Sequence, residues 1–131
     1  LSTSESRSIL PEKIKLHDGV FNIGRSLLVA DALRTADYRL LSEAMTDRLH
    51  QPYRLARLAG VEDILLAAKQ AGAAAAALSG AGPGVIAFSE SGHSAIQRAM
   101  EEAAKNKGME ARGFVLRISN RGADGEDQPQ G

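Results

Sequence analysis

The sequence predicts an α+β domain: a split β-α-β arrangement with helices on one face of an antiparallel sheet, lacking one strand upstream. Three observations predict it. Apolar residues recur at helical spacing in several segments, three short apolar runs bounded by glycine or polar residues read as strands, and the order is helices, strand, strand, helix, strand. A split β-α-β-β-α-β fold needs a further strand ahead of the first helices, which would lie before Leu1. The chain of 131 residues is long enough for one domain with a buried core.

The elements follow in order. Ser and Thr with Glu5 soon after form an N-cap signature, so Thr3 to Ile9 is expected to make about two helical turns, ended by Pro11 acting on Leu10. A domain opening on a helix cap, at Leu rather than Met, reads as cut from something longer. From Leu16 to about Leu33, Leu16, Val20, Ile23, Leu27 and Ala30 form a stripe of helical period. Gly24 within it marks a place where another backbone comes close. A second long helix is expected over Asp37 to Arg48 with Leu41, Met45 and Leu49 on one face. Pro52 interrupts before a short turn at Tyr53 to Leu58, and a helix over Val61 to Ala71 ends at Gly72.

Ala73 to Leu78 holds five consecutive alanines, good helix formers, yet it spans six residues between Gly72 and Gly80. Small side chains also suit a strand pressed beneath helices, and a buried strand is the reading adopted. Val85 to Phe88 makes a second strand. Ser91 or Ser94 caps a helix to Asn106 that Gly108 stops, and Phe114 to Ile118 alternates as a third strand. Residues 1–119 form the domain, and 120–131, rich in Gly, Asp, Glu, Gln and Pro, form a flexible tail.

Composition removes several function classes. Sixteen basic and sixteen acidic residues cancel, which argues against a protein whose main work is coating nucleic acid or an anionic membrane. There is no cysteine, hence no disulfide framework, thiol nucleophile or thiolate metal site. His17, His50 and His93 lie far apart in sequence, so no metal site is expected. No apolar run reaches the roughly 18 residues of a membrane span. The expectation is a soluble, cytoplasmic protein.

Three stretches could carry chemistry. Ser79-Gly80-Ala81-Gly82-Pro83-Gly84 lies between two apolar strands, and its glycines permit backbone N–H groups to converge on an anion. It is equally a tight hairpin bend, and it lacks the Gly-Lys-Ser/Thr ending of a Walker A loop. Thr3 and Arg7, four apart on a helix, project from one face, and the arginine fork suits carboxylate or phosphate. The run Asp47-Arg48-Leu49-His50-Gln51-Pro52-Tyr53-Arg54 packs hydrogen-bonding groups around a proline break, as a ligand-facing corner or an exposed polar turn. Lys105, Lys107 and Arg112 read as a solvated face.

Taken together, S-T-S-E-S-R-S-I-L-P at the start, D-G-V-F-N-I-G-R at 18–25, D-R-L-H-Q-P-Y-R at 47–54 and G-A-A-A-A-A-L-S-G-A-G-P-G-V-I-A-F at 72–88 resemble the homoserine kinases of the GHMP small-molecule kinase superfamily. The likeness extends nearly to Gly122. The S-G-A-G-P loop points only to the superfamily, whereas D-R-L-H-Q-P-Y-R with T-x-x-x-R before I-L-P points to the homoserine branch.

The resemblance implies the C-terminal domain of that superfamily, with a ferredoxin-like fold. It also implies transfer of the ATP γ-phosphoryl group to the hydroxyl of L-homoserine, a step toward threonine. By the same likeness Arg7 and Arg54 match residues holding the substrate carboxylate, Thr3 matches a hydroxyl near the reacting end, and His50 walls the pocket. Ser79, Gly80, Ala81 and Gly82 match the loop closing over substrate and phosphates. Relatives that carry a hydroxyl where this chain has Ala81 or Gly84 could donate from a side chain, and here only the backbone role survives.

The family's ATP loop, of P-x-x-x-G-L-G-S-S type, occurs nowhere in these 131 residues. ATP and Mg²⁺ would then be bound mainly by an N-terminal half, and this chain alone would be inactive. Its catalytic residues stay unassigned. Alternatives are another GHMP kinase, a stand-alone amino-acid-binding regulatory module, or an interaction domain. An absent central strand would also leave two strand edges open to pairing with another chain, a homodimer included.

Overall fold

A computed structural model describes residues 3–119. Its elements are α1 (Thr3–Ser8), α2 (Leu16–Thr35), α3 (Tyr38–Ala44), α4 (Gln51–Leu55), α5 (Val61–Gln70), β1 (Ala75–Leu78), β2 (Val85–Phe88) and α6 (His93–Asn106). The expected tail, 120–131, lies outside the described residues.

β1 and β2 pair antiparallel, with Ala75 opposite Phe88, Ala76 opposite Ala87, Ala77 opposite Ile86 and Leu78 opposite Val85. Side chains alternate across a strand, so neighbouring pairs face opposite sides. Ala76, Val85 and Ala87 meet Leu65 and Ala68 of α5 and Ile96 and Met100 of α6. Ala75 and Phe88 meet Ala32 of α2 and Leu41 of α3 on the other side. Helices α5 and α6 thus cover one face as expected, and α2 and α3 reach the opposite face at one end. Burial on both faces explains the alanine run: the strand needs side chains small enough to fit between two helical layers. Gly72, at φ +103°, ends α5 as expected, its N–H donating to the Lys69 carbonyl while that of Ala73 donates to Ala68.

Several expectations are corrected. The stripe Leu16, Val20, Ile23 and Leu27 stays 61–84% exposed, and Ala32 is the buried residue of α2. Helical spacing marks an apolar face without saying which partner covers it. A Cβ on Gly24 would meet nothing within 4 Å, so no backbone approaches it among the described residues. α3 ends at Ala44 rather than Arg48, because the next residues turn toward Asp47, which caps the following turn. Pro52 does not merely interrupt. It sits in the first turn of α4, where its missing N–H costs no helical bond. α6 begins after Gly92 at φ +71°, with no serine side-chain cap.

The largest difference concerns 114–118, which forms no strand. A strand requires a neighbouring ladder, and this segment has none among the described residues. It runs beside α6, held at Gly113, whose N–H donates to Glu101 Oε1 (2.7 Å) and whose carbonyl accepts from Gln97 Nε2 (3.1 Å). A Cβ on Gly113 would come within 2.6 Å of Gln97 Cγ, so the clamp depends on glycine there.

Candidate functional site

The Ser79–Gly84 loop is closed by its own backbone: the Ser79 N–H donates to the Gly84 carbonyl (2.8 Å) and the Gly82 N–H to the Ser79 carbonyl (3.3 Å). Gly80 and Gly82 take φ of +64° and +81°, the left-handed region that disfavours side chains. At Gly82 space forbids one as well, since a Cβ would lie 2.7 Å from Leu58 Cδ1. With the amides of Ser79 and Gly82 committed, those of Gly80 and Ala81 donate to no acceptor among the described residues. Of the four loop residues expected to act through backbone N–H groups, these two are available to an anion.

Arg54 joins the loop to two helices. Its Nη1 donates to the Gly80 carbonyl at 2.9 Å, and its Nε reaches the Ser6 carbonyl of α1 at 3.4 Å. The Ser6 hydroxyl, fully buried, lies 3.5 Å from the Ala81 carbonyl. The last two distances are long for hydrogen bonds, so the Gly80 contact sets the geometry. His50 Nδ1 lies 3.2 Å from Arg54 Nη1, one helical turn away. If Nδ1 accepts from Arg54, the His50 ring proton sits on Nε2, which faces Asp47 Oδ1 at 3.8 Å. No carboxylate pairs with Arg54 among the described residues.

Arg7, in the last turn of α1, is exposed and has no side-chain hydrogen bond or ion pair among the described residues. It follows Ser6 on the same short helix, which Thr3 opens. The structure therefore brings Ser6 of α1, His50, Arg54 and the Gly80–Ala81 backbone to one place. A cavity of about 940 Å³ lies elsewhere, touching this loop at Ser79, Pro83 and Gly84.

Elsewhere in the 47–54 run Arg48, Pro52 and Tyr53 are exposed, while Asp47 and Gln51 bond the backbone. Asp47 Oδ2 accepts from the N–H groups of His50 (2.7 Å) and Gln51 (2.6 Å), and Oδ1 accepts from Asn22 Nδ2 (2.6 Å). Burial would raise its carboxyl pKa, but these donors outweigh burial and hold it below the ordinary value. Asn22 Oδ1 accepts in turn from the Arg48 N–H, while the Arg48 guanidinium stacks 3.8 Å over Phe21 and reaches Asp18. Gln51 Oε1 accepts from the Leu78 N–H (2.7 Å) one residue before the loop.

Sequence reasoning did not assign Ser6, Asn22 or Gln51. Their signal was the S-T-S-E-S-R-S-I-L-P, D-G-V-F-N-I-G-R and D-R-L-H-Q-P-Y-R segments that contain them, where Ser6 is next to Arg7 and Gln51 next to His50. Of the expected basic patch, Lys107 pairs with Asp63 at 3.0 Å and Arg112 lies over Phe114.

Comparisons with known proteins agree with this architecture. A family model described as GHMP kinases C terminal matches residues 29–106. The homoserine kinase of Aquifex aeolicus (strain VF5) is 42% identical over 123 residues, covering 93% of this chain and 41% of the relative. That of Moorella thermoacetica (strain ATCC 39073 / JCM 9320) is 43% identical over 123 residues, covering 94% of this chain and 42% of the relative. The crystal structure of homoserine kinase from Cytophaga hutchinsonii ATCC 33406 superposes with a TM-score of 0.76 at 29% identity, over 82% of this chain and 35% of that one. The chain spans about two fifths of the length of the curated relatives it matches. It belongs to the GHMP kinases, of which it forms a C-terminal domain.

Proposed function

We propose that this chain is the C-terminal part of a homoserine kinase, which transfers the γ-phosphoryl group of ATP to the side-chain hydroxyl of L-homoserine on the route to threonine. The hydroxyl oxygen bonds to the γ-phosphorus as the bridging P–O bond breaks, giving O-phospho-L-homoserine and ADP. The observation that carries this reading is the corner where the Arg54 guanidinium, fixed on the Gly80 carbonyl, lies beside two uncommitted loop amides. The names of relatives about 40% identical over most of the chain support the substrate.

In this reading Arg7 and Arg54 hold the substrate's carboxylate, since guanidinium forks give charge-assisted bonds to it. Thr3 stands near the reacting end and His50 walls the pocket. The Gly80 and Ala81 amides face the developing negative charge, the placement from which backbone donors stabilise phosphoryl transfer. Among the described residues no group of three or more His, Asp or Glu is arranged to hold a metal ion. The residues proposed to meet the substrate, Thr3, Arg7, His50 and Arg54, include no carboxylate to hold Mg²⁺. Its ligands and most of the ATP site belong, in this proposal, to the part of the kinase that these 131 residues do not span, so the chain alone is inactive. The enzyme acts in the cytoplasm, and no described helix is long and apolar enough to cross a membrane.

The test joins this chain to the portion of the Aquifex aeolicus relative that it does not cover and follows ADP release with L-homoserine. Arg7→Gln is the sharper variant because Arg7 has no partner in the described protein. Its loss should raise the KM for homoserine by roughly ten- to a hundredfold, with the KM for ATP and the melting temperature unchanged. An unchanged KM for homoserine would remove the carboxylate assignment. ADP release by the 131 residues alone would overturn the claim that they are inactive.

A further inference from the structure

A second cavity, about 430 Å³, opens between the 45–55 stretch and helix α5. Its α5 wall is one stripe: Glu62, Leu65, Leu66 and Lys69 recur at helical spacing and share a face. The stripe is apolar in the middle and oppositely charged at its ends. Glu62 and Lys69 stand about 10 Å apart along the helix axis, beyond the one-turn reach at which helical charges pair. Both are exposed, and neither makes an ion pair or hydrogen bond among the described residues. Asp63, beside Glu62, is by contrast paired with Lys107 at 3.0 Å.

An acid in the first turn and a base in the last suit the dipole of any exposed helix. Here a second wall turns the stripe into a pocket. Met45, Pro52 and Leu55 add apolar surface to that of Leu65 and Leu66, and Leu66 is 53% exposed. Thr46 and Gln51 line the same wall. The Thr46 hydroxyl has no hydrogen-bond partner among the described residues. Gln51 spends Oε1 on the Leu78 N–H (2.7 Å), and its Nε2 has no acceptor there. Asp47 also lines the cavity, but its carboxylate is engaged by Asn22 and by the amides of His50 and Gln51. The uncommitted charges are therefore one cation and one anion, with an apolar bed between them.

A ligand with a single charge would leave one end of the stripe unanswered, and an apolar one would leave both. We propose that this cavity binds a small zwitterion with an apolar body, an α-amino acid with an aliphatic side chain. Its carboxylate meets Lys69, its ammonium meets Glu62, and its side chain lies on Leu55, Leu65 and Leu66. A charge-assisted hydrogen bond of about 2.8 Å at each end, added to the few ångströms between an amino acid's own charges, spans the gap between the two side chains. This site is separate from the Arg54 corner, since Arg54, Gly80 and Ala81 do not line it. Gln51 connects the two. A bound ligand confines its carboxamide from the cavity side and so steadies the bond to Leu78, one residue before the Ser79–Gly84 loop.

The experiment titrates the 131-residue chain with L-valine and with L-leucine and follows backbone and side-chain amide shifts by NMR. Saturable shifts are expected at Thr46, Leu66 and the Gln51 side-chain amide. A Kd of about 1 mM is expected, because two exposed ion pairs and one small aliphatic chain each contribute modestly. Exchange of the Leu78 amide should slow roughly threefold at saturation. Lys69→Met and Glu62→Gln each remove one exposed charge and should each weaken binding about fivefold, with the melting temperature unchanged. Butylamine and butyrate, which carry one charge apiece, should bind at least roughly fivefold more weakly than L-valine.

Absence of saturable shifts up to about 20 mM overturns the proposal. Shifts confined to Arg54, Gly80 and Ala81 overturn it too, by placing the amino acid in the corner instead. Binding that survives both charge variants, or that butylamine or butyrate matches, overturns the zwitterion as the ligand. Unaltered Leu78 exchange at saturation overturns the link through Gln51.

Discussion

The corner around Arg54 and the groove of about 940 Å³ beside β2 meet the Ser79–Gly84 loop from different sides and are held together differently. In the corner, side chains answer backbone: Arg54 bonds the Gly80 carbonyl, Gln51 holds the Leu78 amide, and Asp47 caps the start of α4. Each of those bonds uses groups within the described residues. In the groove, backbone edges and apolar side chains face each other with no partner between them among the described residues. Local polar contacts can assemble a corner from nearby pieces of chain. A sheet closes only when every strand is present, because ladder bonds cannot be replaced by side chains along a whole edge.

The largest effect that would break this contrast is at Gly82. Gly82→Val adds a branched side chain at φ +81° and drives its Cβ toward Leu58. Loss of about 2–3 kcal/mol in chemical denaturation is expected, with Arg54 losing its fixed carbonyl. If stability held, the loop would be less rigid than its bonds imply.

A smaller effect belongs to Asp47. Asp47→Ala should cost about 1–2 kcal/mol at neutral pH by removing the acceptor for two helix N-terminal amides. Because the folded pKa is depressed, that stabilisation is complete above the ordinary value of 3.8 and is lost as pH falls through the folded value. The gap between wild type and variant should therefore narrow on acidification, which melting curves across that range would check. A constant gap would mean that packing rather than charge does the capping.

The smallest effect on global stability is expected at Glu101. Donation from the Gly113 N–H and from Gln97 holds its carboxyl below the ordinary value. Glu101→Ala should leave the melting temperature nearly unmoved while the Gly113 amide exchanges roughly tenfold faster. An unaltered Gly113 amide would show that this edge of the groove is held by something other than this clamp.

The differences between expectation and structure follow the same division. β1, β2, α5 and α6 were legible because their apolar residues are spent inside the described fold and their ends carry glycine. α4 was not, since Pro52 signals a break as readily as a first helical turn. Neither apolar spacing on α2 nor alternation at 114–118 says whether a partner is at hand. Both segments have the pattern of buried elements and remain exposed. In the corner, Arg54 and the glycine loop announced themselves by residue type. Ser6, Asn22 and Gln51 did not, because uncharged polar residues acquire a role only when the backbone group they bind comes into reach.

The alanines of β1 act as a shim. Ala75 sets how closely α2 and α3 approach the sheet, and Ala76 sets the approach of α5 and α6. Thickness is therefore controlled separately on the two sides of one strand, at adjacent positions. The Ser79–Gly84 loop leaves from the end of that strand, and Arg54 is carried by the helix just ahead of α5. An added methylene in the shim would reach the Arg54 corner as a displacement of its supports, with every residue in the corner still present.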